Sequence, residues 1–174
     1  MSSHTYAAVA EGVGNGVFIG KVVDVVDDEQ KIGRVLVSLP WYASGYEEWA
    51  RVAQPYAGDG YGSTWIPEAG CEVLVTFPHG GDMRWPYVIG CLHSKVDPPP
   101  VSRTESSDIK MLRTPAGSEF TFDETEGTIV LKTPAGASIR LEEKAGAITL
   151  TASTITIGDD SATVVIKGKS VAIN

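Results

Sequence analysis

Few residues of this chain combine the types and the spacing that catalysis or metal binding requires. The adjacent carboxylates Glu47 and Glu48 resemble an acid/base pair, but neighbouring residues of a strand point to opposite faces of a sheet. Histidine occurs only at positions 4, 79 and 93, and neither His79 nor His93 stands beside a cysteine or carboxylate at ligand spacing. No Ser/His/Asp or Cys/His set is recognisable. The sequence therefore predicts no enzyme, no metal site and no cofactor.

Three short motifs imitate ligand-binding loops. Gly12-x-Gly14-x-Gly16 has no preceding strand and lacks the spacing of a dinucleotide loop, so a flexible arm is predicted. Lys167-Gly168-Lys169-Ser170 lacks the first glycine and the following helix of a phosphate loop, which indicates a turn. The run Asp27-Asp28-Glu29 is typical of a solvated turn, and a divalent cation there is the alternative.

Seven aromatic residues are concentrated between positions 41 and 65. Such a group can stack single-stranded bases on a β-barrel, but stacking platforms carry interleaved cations, and only Arg51 lies in this interval. Core packing, loop anchoring or a subunit interface is therefore favoured. The residues are Trp41, Tyr42, Tyr46, Trp49, Tyr56, Tyr61 and Trp65.

Charge and composition argue against further classes of protein. The formal net charge is −8, of which residues 1–100 contribute −6 and residues 101–174 contribute −2. Because acidic surfaces repel phosphate backbones, no nucleic-acid partner is predicted. No apolar run approaches the roughly 20 residues of a membrane helix, and residues 1–9 lack a secretory signal. Cys71 and Cys91 lie in apolar, strand-like contexts, which favours buried free thiols; a bridge between neighbouring strands is the alternative.

Seven apolar-x-apolar dyads dominate the last third of the chain. Their first residues stand 9, 10, 9, 7, 9 and 7 positions apart. A period-2 pattern with one apolar face predicts a strand, and a run of such strands joined by turns predicts a stacked β repeat. The dyads are Phe120/Phe122, Ile129/Leu131, Ile139/Leu141, Ile148/Leu150, Ile155/Ile157, Val164/Ile166 and Val171/Ile173.

The turns of this repeat and its missing core predict an oligomer. Thr114-Pro115-Ala116-Gly117 recurs as Thr133-Pro134-Ala135-Gly136, and proline second with glycine fourth suits a type I turn. One copy of so thin a ladder cannot enclose a core, and exposed dyads would promote aggregation. Three copies form the simplest closed prism, with interleaved strands and a core made of the first six dyads. A polar exterior is predicted at Lys132, Thr133, Arg140, Glu142, Thr149, Thr151, Thr154 and Thr156.

The first half of the chain predicts a small closed barrel. Five short β-rich stretches without a helical period suit an OB-type barrel, because closure removes the exposed edges of an open sheet. Residues 56–65 are predicted as a glycine-rich loop, and Pro98-Pro99-Pro100 as a stiff exit from the barrel. The five predicted strands are 17–27, 34–39, 48–53, 71–77 and 87–92.

Long ordered motifs in residues 17–100 resemble a known family. The chain is similar to the spikes of contractile tails, namely phage baseplate assembly protein V and the type VI secretion spike of the valine-glycine repeat family. The trailing dyads resemble the trimeric β-helical needle of that family. The motifs are Gly20-Lys21-Val22-Val23, Gly33-Arg34-Val35-Leu36-Val37, the segment from Trp65-Ile66-Pro67-Glu68-Ala69-Gly70 to Phe77, Gly81-Asp82, and Pro86-Tyr87-Val88-Ile89-Gly90.

The resemblance implies an all-β homotrimer that pierces a target cell envelope when the sheath contracts. Such a spike would be made in the bacterial cytoplasm and incorporated into a phage tail, tailocin or related particle. Hub and baseplate proteins would meet the barrel end, and a separate hub protein is expected because no hub domain precedes the barrel. Some family needles bind iron through His-x-His at the apex, which this sequence lacks. A PAAR-repeat tip protein is therefore expected to dock on Val171, Ala172, Ile173 and Asn174.

Four segments are thus predicted. They are a flexible arm (1–16), an OB-fold barrel (17–97), a proline-rich linker (98–108) and an intertwined trimeric β-helix (109–174). Two alternatives belong to other classes of function. One is an OB-fold module that binds carbohydrate or nucleic acid on a β-solenoid stalk, and the other is an enzyme that degrades the cell envelope.

Overall fold

A computed structural model describes residues 16–42, 45–78, 80–102, 108–158, 161 and 163–172. These residues form twelve strands. They include no helix that is long and apolar enough to cross a membrane. Several predicted features lie outside the described residues: most of the arm, part of the linker, His4, His79, Ile173 and Asn174. The chain divides into two compact units, Met1–Pro98 and Pro99–Asn174.

The first unit is a closed five-stranded barrel, as predicted. Its strands follow the order β1-β2-β3-β7-β6 around the barrel. All neighbours are antiparallel except β3 and β7, which close the barrel in parallel through Arg51 opposite Tyr87 and Val52 opposite Val88. The strands are β1 (Val17–Asp24), β2 (Val35–Ser38), β3 (Glu47–Val52), β6 (Glu72–Thr76) and β7 (Tyr87–Leu92).

Alternate valines fill the barrel. Val35 and Val37 on β2 and Val73 and Val75 on β6 are fully buried, and their neighbours along the strand face outward. β-branched side chains suit this half-buried, pleated surface. Gly20 is required where β1 crosses the core, because a Cβ atom there would lie 2.9 Å from Val75 Cγ2 and 3.1 Å from the carbonyl oxygen of Ser38.

The predicted glycine-rich loop contains a small hairpin that the sequence analysis did not identify. Strands β4 (Ala57–Gly58) and β5 (Tyr61–Gly62) pair with each other. Gln54 holds the end of this hairpin, since its amide donates to the carbonyl oxygen of Trp65 at 3.0 Å and its Oε1 accepts from the Trp65 N–H at 3.0 Å. Gly62 is needed because a Cβ atom there would lie 2.6 Å from the carbonyl oxygen of Tyr56.

The second unit contains one antiparallel sheet in which every strand pairs with its sequence neighbour, in the order β12-β11-β10-β9-β8. The sheet is open, so β8 and β12 are its two edges. The strands are β8 (Ile109–Arg113), β9 (Glu119–Asp123), β10 (Thr128–Lys132), β11 (Ser138–Glu142) and β12 (Ala147–Thr151). The first four predicted dyads fall in β9 to β12.

The repeated Thr-Pro-Ala-Gly segments form matching turns. The N–H of Gly117 donates to the carbonyl oxygen of Thr114 at 2.8 Å, and the N–H of Gly136 donates to that of Thr133 at 3.0 Å. The predicted four-residue turns are therefore confirmed. The two turns also stack, since a Cβ atom on Gly117 would lie 3.7 Å from the ring of Pro134.

The strand pairing of this sheet differs from the predicted pairing in one respect. The sequence predicts strands interleaved between chains, whereas β8 to β12 pair within one chain. The connections between these strands have only four or five residues, which is short enough to join adjacent antiparallel strands directly and makes pairing within the chain the local solution. After Thr151, the described residues to Ala172 form no strand, and all of them are exposed.

Candidate trimer interface

The four dyads of β9 to β12 lie on one face of the open sheet, which we call the dyad face. The pairing register places Ile129 opposite Phe122 on one side and Leu141 on the other, so the side chains form two parallel rows across the sheet. Although the strands are regularly paired, these eight side chains are 36–71% exposed. The rows are Phe122, Ile129, Leu141 and Ile148, and Phe120, Leu131, Ile139 and Leu150.

Strand β8 extends both rows with residues that the sequence analysis missed. Leu112 is opposite Phe120 and Lys110 is opposite Phe122. Leu112 is itself more than half exposed, and the Lys110 Nζ forms an ion pair at 2.9 Å with Glu124 in the adjoining turn. The alternation of residues 109–113 is the sequence signal for this strand, but it does not form an apolar dyad because Lys110 is charged.

The reverse face of the sheet carries mostly polar side chains, as predicted, together with the apolar Ile109, Met111 and Val130. Register pairs Lys132 with Ser138, Arg140 with Thr149, and Ser138 with Thr151, all on the side opposite the dyads. Arg140 Nε lies 3.1 Å from Glu142 on the same strand. Across β9 to β12, one face of the sheet is therefore apolar and unpartnered, and the other is mostly polar.

A cleft of about 580 Å³ opens on the dyad face. Its floor is the row that contains Phe122, Ile129, Leu141 and Ile148, and its rim is formed by the acidic turns at 124–127 and 143–146. Because the floor carries no polar group, the cleft offers apolar contact and no obvious chemistry for a small polar ligand.

The later dyads are not brought into the sheet. Ile155, Ile157, Val164, Ile166 and Val171 are half or more exposed, in segments that pair with no strand of the described chain. Of the four residues predicted to dock a tip protein, Val171 and Ala172 are exposed, whereas Ile173 and Asn174 lie outside the described residues.

The aromatic residues of the barrel divide into two groups. Tyr46 is buried and its hydroxyl donates to the carbonyl oxygen of Met83 at 2.7 Å. Trp41 stacks on Phe18 with ring centroids 4.7 Å apart and donates through Nε1 to the carbonyl oxygen of Ile19. These contacts confirm core packing for Tyr46 and loop anchoring for Trp41, which represent the first group. The second group is exposed on and beside the β4–β5 hairpin, and comprises Tyr56, Tyr61 and Trp65.

Asp28 corrects the prediction of a solvated turn at 27–29. This residue is 8% exposed, and its carboxylate accepts from the backbone N–H groups of Gln30, Ile32 and Arg34 and lies 2.8 Å from Arg34 Nε. Burial raises the pKa of this carboxyl, but the Arg34 and backbone hydrogen bonds outweigh it and hold the pKa well below its ordinary value. Asp28 therefore organises the β1–β2 connection, as a short polar side chain does in an Asx turn.

The remaining candidates show no clustering. Cys71 and Cys91 are free thiols, as predicted, but Cys71 is half-buried and Cys91 is exposed, so the expectation that both are buried is wrong. Partial desolvation of the Cys91 sulfur, followed by the charges of the neighbouring Cys71 and Glu68, raises the pKa of the Cys91 thiol. His93 is exposed in the loop after β7. The described part of the chain contains no group of three or more His, Cys, Asp or Glu residues arranged to hold a metal ion.

Comparison with known families matches both units. The family described as the type VI secretion system/phage-baseplate injector OB domain matches residues 18–93. The family described as the phage baseplate V C-terminal trimerisation domain matches residues 109–174. An injector OB domain followed by a baseplate trimerisation domain places the chain in the class of baseplate spike proteins. The chain belongs to this phage baseplate V family of injector proteins.

Individual relatives carry the names of spike proteins. The type VI secretion system spike protein VgrG4b of Pseudomonas aeruginosa is 37% identical over 98 residues, which are 52% of this chain and 12% of the relative. The spike protein VgrG3 of Vibrio cholerae is 33% identical over 127 residues, which are 66% of this chain and 12% of the relative. The actin cross-linking toxin VgrG1 of Vibrio cholerae is 36% identical over 97 residues, 53% of this chain and 9% of the relative. The chain thus spans about a tenth of the length of these relatives.

Proposed function

We propose that three copies of this chain form the central spike of a contractile injection particle, in which it acts mechanically and not as an enzyme. The observation that carries the proposal is the dyad face, an ordered apolar surface that a single chain leaves in water. Family membership supports the choice of three copies, because the sheet belongs to the segment matched as a trimerisation domain.

The dyad face supplies enough apolar surface to drive assembly. Fully burying one Val, Leu, Ile or Phe side chain stabilises a structure by about 1.5–3 kcal/mol. Eight such side chains per chain are at least one-third exposed, so turning three sheets inward would gain tens of kcal/mol before the cost of association is subtracted. Each of the strands β9 to β12 contributes two inward apolar side chains, and three copies therefore place six apolar side chains in each of these four layers of the prism.

The segment after β12 supports a second mode of assembly in the same needle. Its dyads continue the apolar pattern, yet they find no partner strand among the described residues of the same chain. We propose that residues 152–158 and 163–172 pair between copies and intertwine, so that no copy separates without unpairing the others. Sheath contraction would supply the force, and the needle would transmit it to the envelope.

Contacts at the two ends complete the proposal. The barrel end would meet hub and baseplate proteins. The end at Val171–Asn174, with Val171 and Ala172 exposed, would seat a conical PAAR-repeat tip. Such a spike would need no cofactor and no nucleic acid, and it would contact the target envelope only transiently.

The role is tested by locating the chain in a particle. An epitope on the exposed loop at Lys95 is introduced into a producing strain, contractile particles are purified, and their subunits are counted by quantitative mass spectrometry. The expected result is three copies per particle, with antibody label at the baseplate end of the tube. Intact particles that lack the chain, or that carry it along the sheath, would contradict the proposal.

A further inference from the structure

The five-stranded sheet of the second unit has turns and strand ends along two opposite sides, and these two sides carry different charges. One edge, which we call the Pro edge, consists of the turns at 114–118 and 133–137 with the adjoining strand ends. The other, the acidic edge, consists of the turns at 124–127 and 143–146 with their strand ends and Asp108. Six carboxylates and two lysines lie on the acidic edge, whereas the Pro edge carries Arg113, Lys132 and Glu119. The acidic edge comprises Asp108, Lys110, Asp123, Glu124, Glu126, Glu142, Glu143 and Lys144.

The acidic edge is an ordered surface. Its turns are joined along the sheet, since the N–H of Glu143 donates to the carbonyl oxygen of Gly127 at 2.9 Å and that of Glu124 donates to the carbonyl oxygen of Asp108 at 3.0 Å. Lys144 Nζ donates to the carbonyl oxygen of Thr125 at 3.0 Å. Lys110 pairs with Glu124, so both lysines of the acidic edge bind groups of that same edge. The six carboxylates and two lysines give the edge a net charge of −4.

Cyclic symmetry dictates which edges meet. In a ring of three, each copy uses two different surfaces, one toward each neighbour. With the dyad faces inward and the strands running across the axis, the turns lie at the corners of the prism. The acidic edge of one copy then faces the Pro edge of the next. A two-fold pairing through the acidic edge would instead bring like charges together, which disfavours a dimer.

The positions of the turns along the axis of the proposed trimer are also complementary between the Pro edge and the acidic edge. Adjacent strands are about 4.8 Å apart, so turns on one edge recur about every 10 Å. Pro-edge turns join β8 to β9 and β10 to β11, whereas acidic turns join β9 to β10 and β11 to β12. Each edge therefore presents a turn where the other presents a gap. Lys132, at the end of β10, is exposed and forms no ion pair within the described chain.

We propose that the acidic edge of one copy binds the Pro edge of the next, with Lys132 of one copy facing Glu124 and Glu143 of its neighbour at each of three corners. This inference rests on the proposed trimer and adds the order in which its edges meet. The charges select the cyclic assembly over pairings of like edges, while the dyad face supplies most of the affinity.

Charge reversal tests the contact. An exposed ion pair changes an equilibrium about twofold to fivefold, and each trimer contains three such corners. Lys132→Glu is therefore expected to raise the trimer dissociation constant about tenfold to a hundredfold at low salt, with a smaller effect at high salt. Adding Glu143→Lys is expected to recover most of the loss. The matched control Lys95→Glu makes the same charge change on an exposed loop of the barrel unit and should leave assembly unchanged.

Two measurements decide the outcome. Urea-induced dissociation is followed by sedimentation, because urea, unlike guanidinium, does not screen charge. Carbodiimide cross-linking of trimers assembled from light and heavy isotope-labelled chains should join Lys132 to Glu124 or Glu143 across a light–heavy pair. If Lys132→Glu dissociates like the unsubstituted protein at low salt, or cross-links occur only within a chain, the edge contact is overturned and the trimer stands. If the unsubstituted protein is monomeric, both are overturned.

Discussion

Substitution of Ile148 tests the dyad face with the least damage to the single chain. Ile148 lies on the edge strand β12 and is 71% exposed in the isolated chain, so most of its apolar surface remains to be buried by assembly. Ile148→Asp removes that surface and places three carboxylates near the axis of the proposed trimer. The substitution should therefore disrupt assembly far more than folding.

The magnitude follows from burial. If full burial of an isoleucine contributes about 1.5–3 kcal/mol, the exposed share of Ile148 contributes about 1–2 kcal/mol per chain, or about 3–6 kcal/mol per trimer. This alone weakens the trimer by about 10²–10⁴-fold. Burying a carboxylate costs several kcal/mol more for each copy, so Ile148→Asp should be monomeric at micromolar concentration.

The assay is sedimentation velocity with far-ultraviolet circular dichroism as a check on folding. The control is Thr149→Asp, which adds the same charge at the next residue of β12, on the opposite face of the sheet. It should remain trimeric. If Ile148→Asp assembles as well as the unsubstituted chain, or if both variants dissociate equally, the dyad face is not the interface.

Three further predictions concern the barrel. Gly20→Ala should lower the free energy of unfolding by about 1–3 kcal/mol in urea, because the added Cβ would lie 2.9 Å from Val75 Cγ2; no loss would contradict the packing described. Tyr46→Phe should cost about 1–2 kcal/mol in the same assay, since it removes the buried hydrogen bond to the Met83 carbonyl. Asp28 has a lowered pKa, so its stabilisation is present above its ordinary value of 3.8 and is lost as the pH falls toward the folded-state pKa. Asp28→Asn should therefore lower the Tm near neutral pH and flatten its dependence on pH between about 5 and 2; a parallel, unshifted curve would refute this role.

The barrel was largely predictable because its strands alternate between buried valines and exposed residues. All five predicted strands are present, and β1 ends early because the Asp24 carboxylate accepts the backbone N–H groups of Val25 and Val26. The role of Asp28 was not predictable. A cluster of acidic residues in a turn usually faces water, and only the folded backbone brings three N–H groups to one carboxylate.

The needle was predictable in its pattern and not in its pairing. Period-2 alternation requires one buried face, and the dyads of β9 to β12 do share a face. The same pattern suits a strand paired within its own chain or with another chain, which is why strands interleaved between chains were predicted where β8 to β12 pair within one chain. The place of Lys110 in an otherwise apolar row was also hidden, because only its register opposite Phe122 reveals it.

The native mass of the unsubstituted chain tests the central claim most directly. Native mass spectrometry at micromolar concentration should give three times the 18.5 kDa of one chain, with no dimer and little monomer. A folded, soluble species with the mass of a single chain would contradict the claim that the dyad face is completed by two further copies.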